Sequence, residues 1–332
     1  MMKRLKYLLY RGKITNTMNK NEMVSIIIPV KDESEGVDYL FDRLNIVLEK
    51  LPVNYELVFV NDGSTDNTLD LLLEKQQQIP QIRIVDLSRN FGKESALYAG
   101  FANCNGDAAI SIDADLQDPP ELILDMVKYW QEGYEVVTAV RENRDSDTKT
   151  KRKSAGLFYK LMNSISDTKL TPNAGDYRLL NRAAINAFLE LKEKVRFNKG
   201  LLSWIGFKEK TLYHAREERA AGQTKWNYWK LFKFSIDGIT SFSKTPLEIW
   251  SYLGVLIALS GFVYGSWFIL KTILFGADLP GYPSLITFIL FFSGLQMIGI
   301  GMLGSYIGRI FIETKQRPLY IVRKVYSKEN TK

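Results

Sequence analysis

Short apolar runs alternate with amphipathic segments along the first half of the chain. The runs at 24–30 and 55–60 are apolar on both faces, as buried strands of a parallel sheet are. Segments 36–50 and 66–78 follow them, with apolar residues at helical spacing. Three more strands are predicted at 82–87, 108–112 and 135–140. The alternation predicts an α/β fold with a mostly parallel sheet and helices on both faces.

Two much longer apolar runs follow, at 247–274 and 284–312. Both exceed the roughly 20 residues that a helix needs to cross the bilayer core, so they predict two transmembrane helices. The connector 275–283 contains Asp278 and no Lys or Arg, whereas the outer flanks are basic. The positive-inside rule therefore predicts a multi-pass hairpin in the inner (plasma) membrane, with the α/β domain and both termini in the cytoplasm.

The same patterns divide the chain into five parts. These are a basic N-terminal segment (1–22), an α/β domain (23–225), an amphipathic interfacial helix (226–245), the hairpin (246–312) and a basic cytoplasmic tail (313–332). Pairs of glycines four residues apart allow close approach of helices in the hairpin. They lie at 261/265 and 304/308, and their spacing leaves open whether they pack the hairpin or a homo-oligomer.

Composition narrows the chemistry. The chain has one Cys and one His, which excludes an internal disulfide and a Cys-based zinc site. His214 lies in an alternating segment and is not expected to be a catalytic acid or base. The net charge of +7 suits a phosphate-bearing partner or an anionic membrane face. Nucleic acid is disfavoured as a partner, because the aromatic and basic stretch at 226–234 adjoins a predicted transmembrane helix.

An acidic motif follows the predicted fourth strand. Asp113, Asp115 and Gln117 offer carboxylate and amide oxygens at the carboxyl end of a buried strand, where open α/β sheets bind ligands. Such oxygens suit a hard cation, Mg²⁺ or Mn²⁺. Asp and Pro are also ordinary turn residues, so a solvated turn is the alternative interpretation.

Polar residues follow the other strands as well. Glu33, Asp62, Ser64, Lys93 and Arg141 lie just beyond strand ends, and together they predict one site at one edge of the sheet. Farther along, Asp176 and Arg178 interrupt an apolar segment. Because unpaired buried charges are costly, these two residues are expected either to pair or to line the site. A cytoplasmic site near a membrane anchor favours one soluble phosphate-bearing substrate and one lipid-borne substrate.

The motifs and their order resemble a known family. Pro29 in the first strand, the Asn-Asp-Gly-Ser-Thr-Asp run at 61–66, Gly92-Lys93 and Asp-Ala-Asp-Leu-Gln at 113–117 resemble the family 2 glycosyltransferases of the GT-A fold. The Asp-Pro-Pro extension to 120 and Arg-x-x-Gly-x-Thr-Lys at 219–225 resemble the polyisoprenyl-phosphate glycosyltransferases, which include dolichyl-phosphate mannose synthases and bactoprenol glucosyltransferases. The hairpin is similar to that of the bactoprenol branch.

The resemblance implies a role for each matching residue. Asp113, Asp115 and Gln117 would hold the metal, and Asp113, Asp115, Asp176 and Arg178 would be catalytic, with Asp176 either acting in catalysis or orienting the sugar. The nucleotide-sugar would be bound by Pro29, Val30, Glu33, Asp62, Ser64, Lys93 and Asp113. The acceptor phosphate or the leaving diphosphate would be bound by Arg141, Arg152, Arg219 and Lys225.

The resemblance also implies the reaction. It is inverting transfer of a hexose, preferably glucose from UDP-glucose, to a polyprenyl phosphate such as undecaprenyl phosphate. GDP-mannose, UDP-GlcNAc and a UDP-arabinose derivative are alternative donors. A membrane-tethered nucleotide-binding regulator without turnover is the alternative from another class. A processive polysaccharide synthase is disfavoured because no Gln-x-x-Arg-Trp pentapeptide occurs.

Overall fold

The structure is a computed structural model and describes residues 22–142, 174–215, 245–276 and 281–327. These residues form two compact units. The first unit contains 22–142, 174–215 and 318–327, and the second contains 245–276 and 281–317. The basic N-terminal segment and the interfacial segment predicted at 226–245 fall almost wholly outside the described residues.

The first unit contains a mixed sheet whose order is β7-β5-β6-β4-β1-β2-β3-β8. Its described strands are β1 (Met23–Val30), β2 (Asn54–Asn61), β3 (Ile82–Leu87), β4 (Ala108–Ser111), β5 (Val136–Arg141), β6 (Ala174–Asn181), β7 (Glu209–His214) and β8 (Val322–Tyr326). Strands β1 to β4 are parallel to their neighbours in the run β4-β1-β2-β3, and β5 is parallel to β7. The prediction of a mostly parallel α/β sheet is confirmed.

Six helices are described in this unit. They are α1 (Val37–Leu48), α2 (Thr68–Gln78), α3 (Lys93–Ala102), α4 (Leu122–Gln131), α5 (Arg182–Glu190) and α6 (Asn198–Trp204), and a short 3-10 helix spans Ser34–Gly36. The core lies on the sheet, with Ile26 and Ile28 of β1 and Leu44 of α1 fully buried. Helix α3 lies close to the sheet at Gly100, where an added Cβ would be 2.2 Å from Ile27 Cγ2.

The strand order reverses beside β1. The chain passes from β1 to β2 and β3 on one side and then returns to place β4 on the other side of β1. Open α/β sheets bind ligands at the carboxyl ends of strands beside such a reversal. The residues that follow β1 and β4 are therefore where a site is expected.

Three strands, β6, β7 and β8, lie where no strand was predicted. Strand β6 pairs antiparallel with both β4 and β5, in a region whose pattern is irregular. Strand β8 pairs antiparallel with β3 and lies in the segment expected to be a basic tail. These strands are placed in the sheet by long-range pairing and not by a local hydrophobic pattern.

The second unit contains two long apolar helices, α7 (Thr245–Phe275) and α8 (Tyr282–Thr314). Their apolar parts, Leu247–Phe275 and Phe288–Thr314, are long enough to cross a membrane, and neither part is buried by protein. These features indicate membrane association. An added Cβ at Gly299 would lie 3.4 Å from the Trp250 ring, whereas an added Cβ at Gly261, Gly265, Gly304 or Gly308 would meet nothing within 4 Å. The predicted glycine pairs therefore do not form the contact between α7 and α8.

Candidate active site

The acidic motif after β4 forms a tight turn. Leu116 adopts a positive φ of 47° and buries its side chain, and its N–H donates to the Asp113 carbonyl at 3.2 Å. The Gln117 N–H donates to Asp115 Oδ1 at 3.3 Å. A left-handed conformation is uncommon for a leucine, and burial of its side chain offsets the cost. The turn holds Asp113 and Asp115 at the carboxyl edge of the sheet.

Lys93 and Asp176 meet Asp113 at this edge. Lys93 Nζ lies 2.7 Å from Asp113 Oδ1 and 2.8 Å from Asp176 Oδ2. Lys93 begins α3, which follows β3, and Asp176 lies near the start of β6, which runs antiparallel to β4. Because antiparallel pairing places the start of one strand beside the end of its neighbour, β6 delivers Asp176 to the end of β4.

The charges of this cluster stabilise one another. Burial opposes the charged form of Lys93, but the two carboxylates outweigh burial and raise the pKa of Lys93. Burial likewise opposes the Asp176 carboxylate, but Lys93 and Lys199 lower the pKa of Asp176 below its usual range. Asp176 Oδ1 is buried and accepts no hydrogen bond from the described residues. Asp176 is therefore an ionised carboxylate whose Oδ2 lies on the Lys93 ammonium.

The residues at this edge fit a divalent cation. Asp113 and Asp176 converge on one positive group, the Lys93 ammonium, so the edge favours positive charge. The carboxylate oxygens of Asp113 and Asp115 and the amide oxygen of Gln117 are hard ligands of the type that Mg²⁺ and Mn²⁺ prefer. Within the described ranges, no three His, Cys, Asp or Glu side chains form a ready metal cluster. The donor set would therefore be mixed, with an amide and substrate oxygens completing it.

Glu94 is a neighbour of this cluster that the sequence did not single out. Its Oε2 accepts the Asn198 N–H at 2.8 Å, and the Asn198 side chain donates back to the Glu94 carbonyl at 3.0 Å. Burial, and then the negative charge of Asp176, raise the pKa of Glu94 to about 7. A glutamate is common in the first turn of a helix, because the helix dipole stabilises its negative charge, so the position of Glu94 in the sequence does not indicate a site. Its contact with Asn198 depends on tertiary folding.

Arg178 is placed differently from Asp176. It is almost fully buried in β6, and its Nε donates to the Gly175 carbonyl at 3.3 Å. Its positive charge helps to lower the pKa of Asp176. The two residues were expected either to pair or to line the site. Asp176 lies at the carboxyl edge of the sheet on Lys93, whereas Arg178 is buried within β6.

Arg141 reaches the same side of the sheet but binds a buried carboxylate. Its Nε and Nη2 donate to the two oxygens of Asp118 at 2.9 and 3.0 Å, and His214 Nε2 lies 3.4 Å from Asp118 Oδ1. Burial opposes the guanidinium charge, but the hydrogen bonds and charge of Asp118 raise the pKa of Arg141. Asp118 and His214 are therefore partners of Arg141 that sequence reasoning did not assign.

Pro29, Val30 and Glu33, which are predicted to bind the nucleotide-sugar, lie at or just after the end of β1. Pro29 and Val30 pair with Val60 and Asn61 across the two strands. The Glu33 N–H donates to Thr68 Oγ1 at 3.0 Å. Because Pro29 and Val30 pair with Val60 and Asn61, the loops that follow β1 and β2 begin side by side.

Asp62 and Ser64 hold the loops after β1, β2 and β3 together. The Asp62 carboxylate accepts the N–H groups of Phe91 and Gly92 at 2.7 and 2.9 Å, and Ser64 Oγ accepts the Asp32 N–H at 3.0 Å. Asp62 is buried. The structure thus brings Asp62 and Ser64 to the expected edge, where both bond to neighbouring loops. The predicted phosphate-binding residues Arg152, Arg219 and Lys225 lie outside the described residues.

The chain matches known proteins along most of its length. Residues 25–189 match the sequence profile of "Glycosyl transferase family 2". The chain is 49% identical over 306 residues to the uncharacterized glycosyltransferase sll0501 of Synechocystis, covering 92% of this chain and 96% of that protein. It is 46% identical over 302 residues to the prophage bactoprenol glucosyl transferase homolog of Escherichia coli, covering 91% and 99%.

Among solved structures, the chain is similar to glucosyl-3-phosphoglycerate synthase from Mycobacterium tuberculosis in complex with Mn²⁺, UDP-glucose and phosphoglyceric acid. The identity is 15% and the TM-score 0.45, over 70% of this chain and 83% of that one. The sequence relationship to the Synechocystis and Escherichia coli proteins spans about nine-tenths of the chain. The chain belongs to glycosyltransferase family 2 and is a glycosyltransferase.

Proposed function

We propose that the protein transfers glucose from UDP-glucose to undecaprenyl phosphate, inverting the anomeric centre, at the cytoplasmic face of the membrane. The observation that carries this proposal is the cluster of Lys93, Asp113 and Asp176 at the carboxyl edge of the sheet, in a chain with two helices of membrane-spanning length. The name of the Escherichia coli relative, a bactoprenol glucosyl transferase homolog, supports glucose as the sugar and a polyprenyl lipid as the acceptor. GDP-mannose, UDP-GlcNAc and a UDP-arabinose derivative are the alternative donors.

A divalent cation, Mg²⁺ or Mn²⁺, would be held by Asp113, Asp115 and Gln117. When bound there, it would supply positive charge for the diphosphate of the donor. The protein's own contribution is the Lys93 ammonium, which remains charged because its pKa is raised. Lys93 would bind a diphosphate oxygen and stabilise the negative charge of the departing nucleotide.

The acceptor needs no strong base. A lipid monophosphate is already an anionic nucleophile near neutral pH, because its second ionisation has a pKa of about 6. The Asp176 carboxylate has a lowered pKa and is therefore a weak base. The carboxylate lies beside the Lys93 ammonium and is proposed to accept a hydrogen bond from a sugar hydroxyl. Asp176 would orient the sugar so that the phosphate attacks in line with the departing diphosphate.

The arrangement in the membrane follows from charge. The cations that flank the two apolar helices, together with the absence of Lys or Arg from the connector 275–283, favour a hairpin with both termini in the cytoplasm. Nucleotide sugars are soluble, so a cytoplasmic catalytic domain would meet its donor there. The lipid phosphate would approach from the bilayer, and Arg152, Arg219 and Lys225 are proposed to receive its charge.

The test is direct transfer by the purified full-length protein. The protein is incubated with Mg²⁺ or Mn²⁺, undecaprenyl phosphate and a panel of nucleotide sugars, and lipid products are separated by mass. A lipid-linked monophosphoryl glucose formed from UDP-glucose is the expected product. Transfer from a different donor would replace the sugar assignment. Absence of transfer from every donor to the lipid phosphate would overturn the proposed reaction.

Asp115→Asn tests the metal assignment. The substitution removes one carboxylate charge, so the affinity for Mn²⁺ should fall at least tenfold and turnover should be lost. Binding of Mn²⁺ is measured by electron paramagnetic resonance with and without UDP. Asp125→Asn removes the same charge from the exposed face of α4 and serves as the matched control. Equal Mn²⁺ affinity in the two variants would contradict the assignment.

A further inference from the structure

The chain returns to the catalytic sheet after the second apolar helix. Helix α8 ends at Thr314, and β8 begins at Val322 and pairs antiparallel with β3. The Gln76 side chain donates to the Tyr326 carbonyl at 2.9 Å, and the Ser88 N–H donates to the Ile321 carbonyl at 2.9 Å. Strand β8 is therefore hydrogen-bonded at both of its ends to other elements of the first unit, which holds the candidate site.

An irregularity in the pairing involves Arg323. Lys324 is opposite Asp86 and Val322 is opposite Leu87, so Arg323 is an extra residue between two paired positions. Bulges of this kind redirect a side chain. The Arg323 side chain reaches the end of β3, where Nη2 donates to the Ser88 carbonyl at 2.8 Å and Nη1 lies 3.4 Å from Asp86 Oδ2.

Asp86 links Arg323 to Asn61, the last residue of β2. Its carboxylate is buried, with 1% of the residue exposed, and its Oδ1 accepts the Asn61 side-chain N–H at 2.8 Å. The same Asn61 side chain accepts the Ser64 N–H through its oxygen at 3.2 Å. Because an amide that donates to Asp86 must present its oxygen on the other side, Asp86 sets which way the Asn61 amide faces.

The three side chains form a continuous path of hydrogen bonds from β8 to the turn at 61–64. The Arg323 guanidinium lies on one oxygen of Asp86, the Asn61 amide on the other, and the turn closes on Asn61. A buried carboxylate needs compensating donors or charge, and Arg323 supplies the charge here. Removal of Arg323 would leave the Asp86 charge with weaker compensation and favour reorientation or hydration of Asp86 and Asn61.

We propose that Arg323 is a positioning residue for donor binding, which fixes the turn at 61–64 through Asp86 and Asn61. The segment that leaves the second membrane helix would thereby contribute to the nucleotide site. This inference rests on the proposed function and on the role that the family resemblance implies for Asp62 and Ser64 of that turn, which is to bind the nucleotide. It adds to that function a requirement for the C-terminal strand, which has no residue among the predicted substrate-binding groups.

The test compares two arginine variants with a matched lysine variant in the full-length protein. Arg323→Ala removes the guanidinium, and Arg323→Lys retains a charge. Lys324→Ala removes one positive charge from the next residue, whose ammonium lies over the Tyr326 ring at 4.5 Å and so provides the control. The measurements are the KM for UDP-glucose, the KM for undecaprenyl phosphate and the affinity for UDP.

Arg323→Ala should raise the KM for UDP-glucose and the dissociation constant for UDP about fivefold, the effect expected for a partly exposed ion pair. The KM for undecaprenyl phosphate should stay within twofold of the wild-type value. Arg323→Lys should recover part of the loss, and Lys324→Ala should change no value more than twofold. An unchanged donor KM in Arg323→Ala, or equal changes in both KM values, would overturn the proposal.

Amide hydrogen exchange provides a readout that needs no donor. Exchange at Ser64, whose N–H is bonded to Asn61, should accelerate in Arg323→Ala and not in Lys324→Ala. If the wild-type protein binds no UDP, the proposed function fails, and unchanged exchange at Ser64 would separately refute the path from Arg323. If Arg323→Ala does not fold, Arg323→Gln repeats the comparison with a longer polar side chain.

Discussion

Gly63 lies in the turn at 61–64, close to the backbone of the loop after β3. It has a φ of +64°, and an added Cβ would lie 2.5 Å from both Arg89 C and Asn90 N. Those atoms are backbone, so no side chain can move aside to make room. Carbon atoms in contact are normally about 3.5–4.0 Å apart, so the loop would have to shift by about 1 Å.

Gly63→Ala therefore carries two costs. The left-handed conformation costs a non-glycine residue about 1–2 kcal/mol. The steric overlap with the loop adds about 1–3 kcal/mol, as inserted carbons in packed regions do. The free energy of unfolding should fall by the sum, about 2–5 kcal/mol. The shift would also separate Asp62 from the N–H groups of Phe91 and Gly92, so UDP binding should weaken.

Gly133→Ala is the control that separates the two costs. Gly133 has a φ of +93°, and an added Cβ there would meet nothing within 4 Å. Gly133→Ala therefore carries the cost of the left-handed conformation without the cost of steric overlap. Both variants are unfolded thermally in the same detergent. At about 2–4 °C per kcal/mol, the Tm of Gly63→Ala should fall about 2–12 °C farther than that of Gly133→Ala. Equal Tm values, or unchanged UDP affinity in Gly63→Ala, would refute the reasoning.

Two further predictions concern the neighbouring charges. Lys93→Met leaves Asp113 and Asp176 without their shared ammonium, so kcat/KM should fall at least tenfold, which corresponds to about 1.4 kcal/mol. Lys128→Met on the exposed face of α4 is the control, and a loss of similar size there would contradict the assignment. Glu94 has a pKa raised from 4.5 to about 7, so the folded state holds its proton longer than the unfolded state. Its contribution to stability is therefore lost as pH rises from about 4.5 to about 7. Over that range the Tm of Glu94→Gln should rise relative to the wild-type Tm, and the difference should level off above pH 7; a constant difference would show that Glu94 titrates normally.

Local patterns in the sequence were sufficient for much of the fold. The strands at 24–30, 55–60, 82–87, 108–112 and 135–140 match β1 to β5 to within one or two residues at each end. Each is a buried run with little polar character, and the helices after β1 and β2 show helical spacing. Because such patterns report burial within a few neighbouring residues, they need no knowledge of distant contacts.

The position of the site also followed from sequence. Parallel strands end at a common edge, so residues after β1, β2, β3 and β4 had to approach one another. Asp113 and Lys93 were both predicted from this rule and are in contact. The assignment of a role to each residue, by contrast, came from the resemblance to a family and remains a prediction.

The contacts that decide the charge of each group depend on tertiary structure. The sequence determined that Asp176 interrupts an apolar segment, and it left two outcomes for that carboxylate. Antiparallel pairing of β6 with β4 decided between them, by placing Asp176 on the Lys93 ammonium. Likewise, Arg323 and Asp86 are 237 residues apart and meet only because β8 returns to β3. Hydrophobic periodicity determines which residues are buried, whereas the partners of buried charges are determined by strand pairing between distant segments.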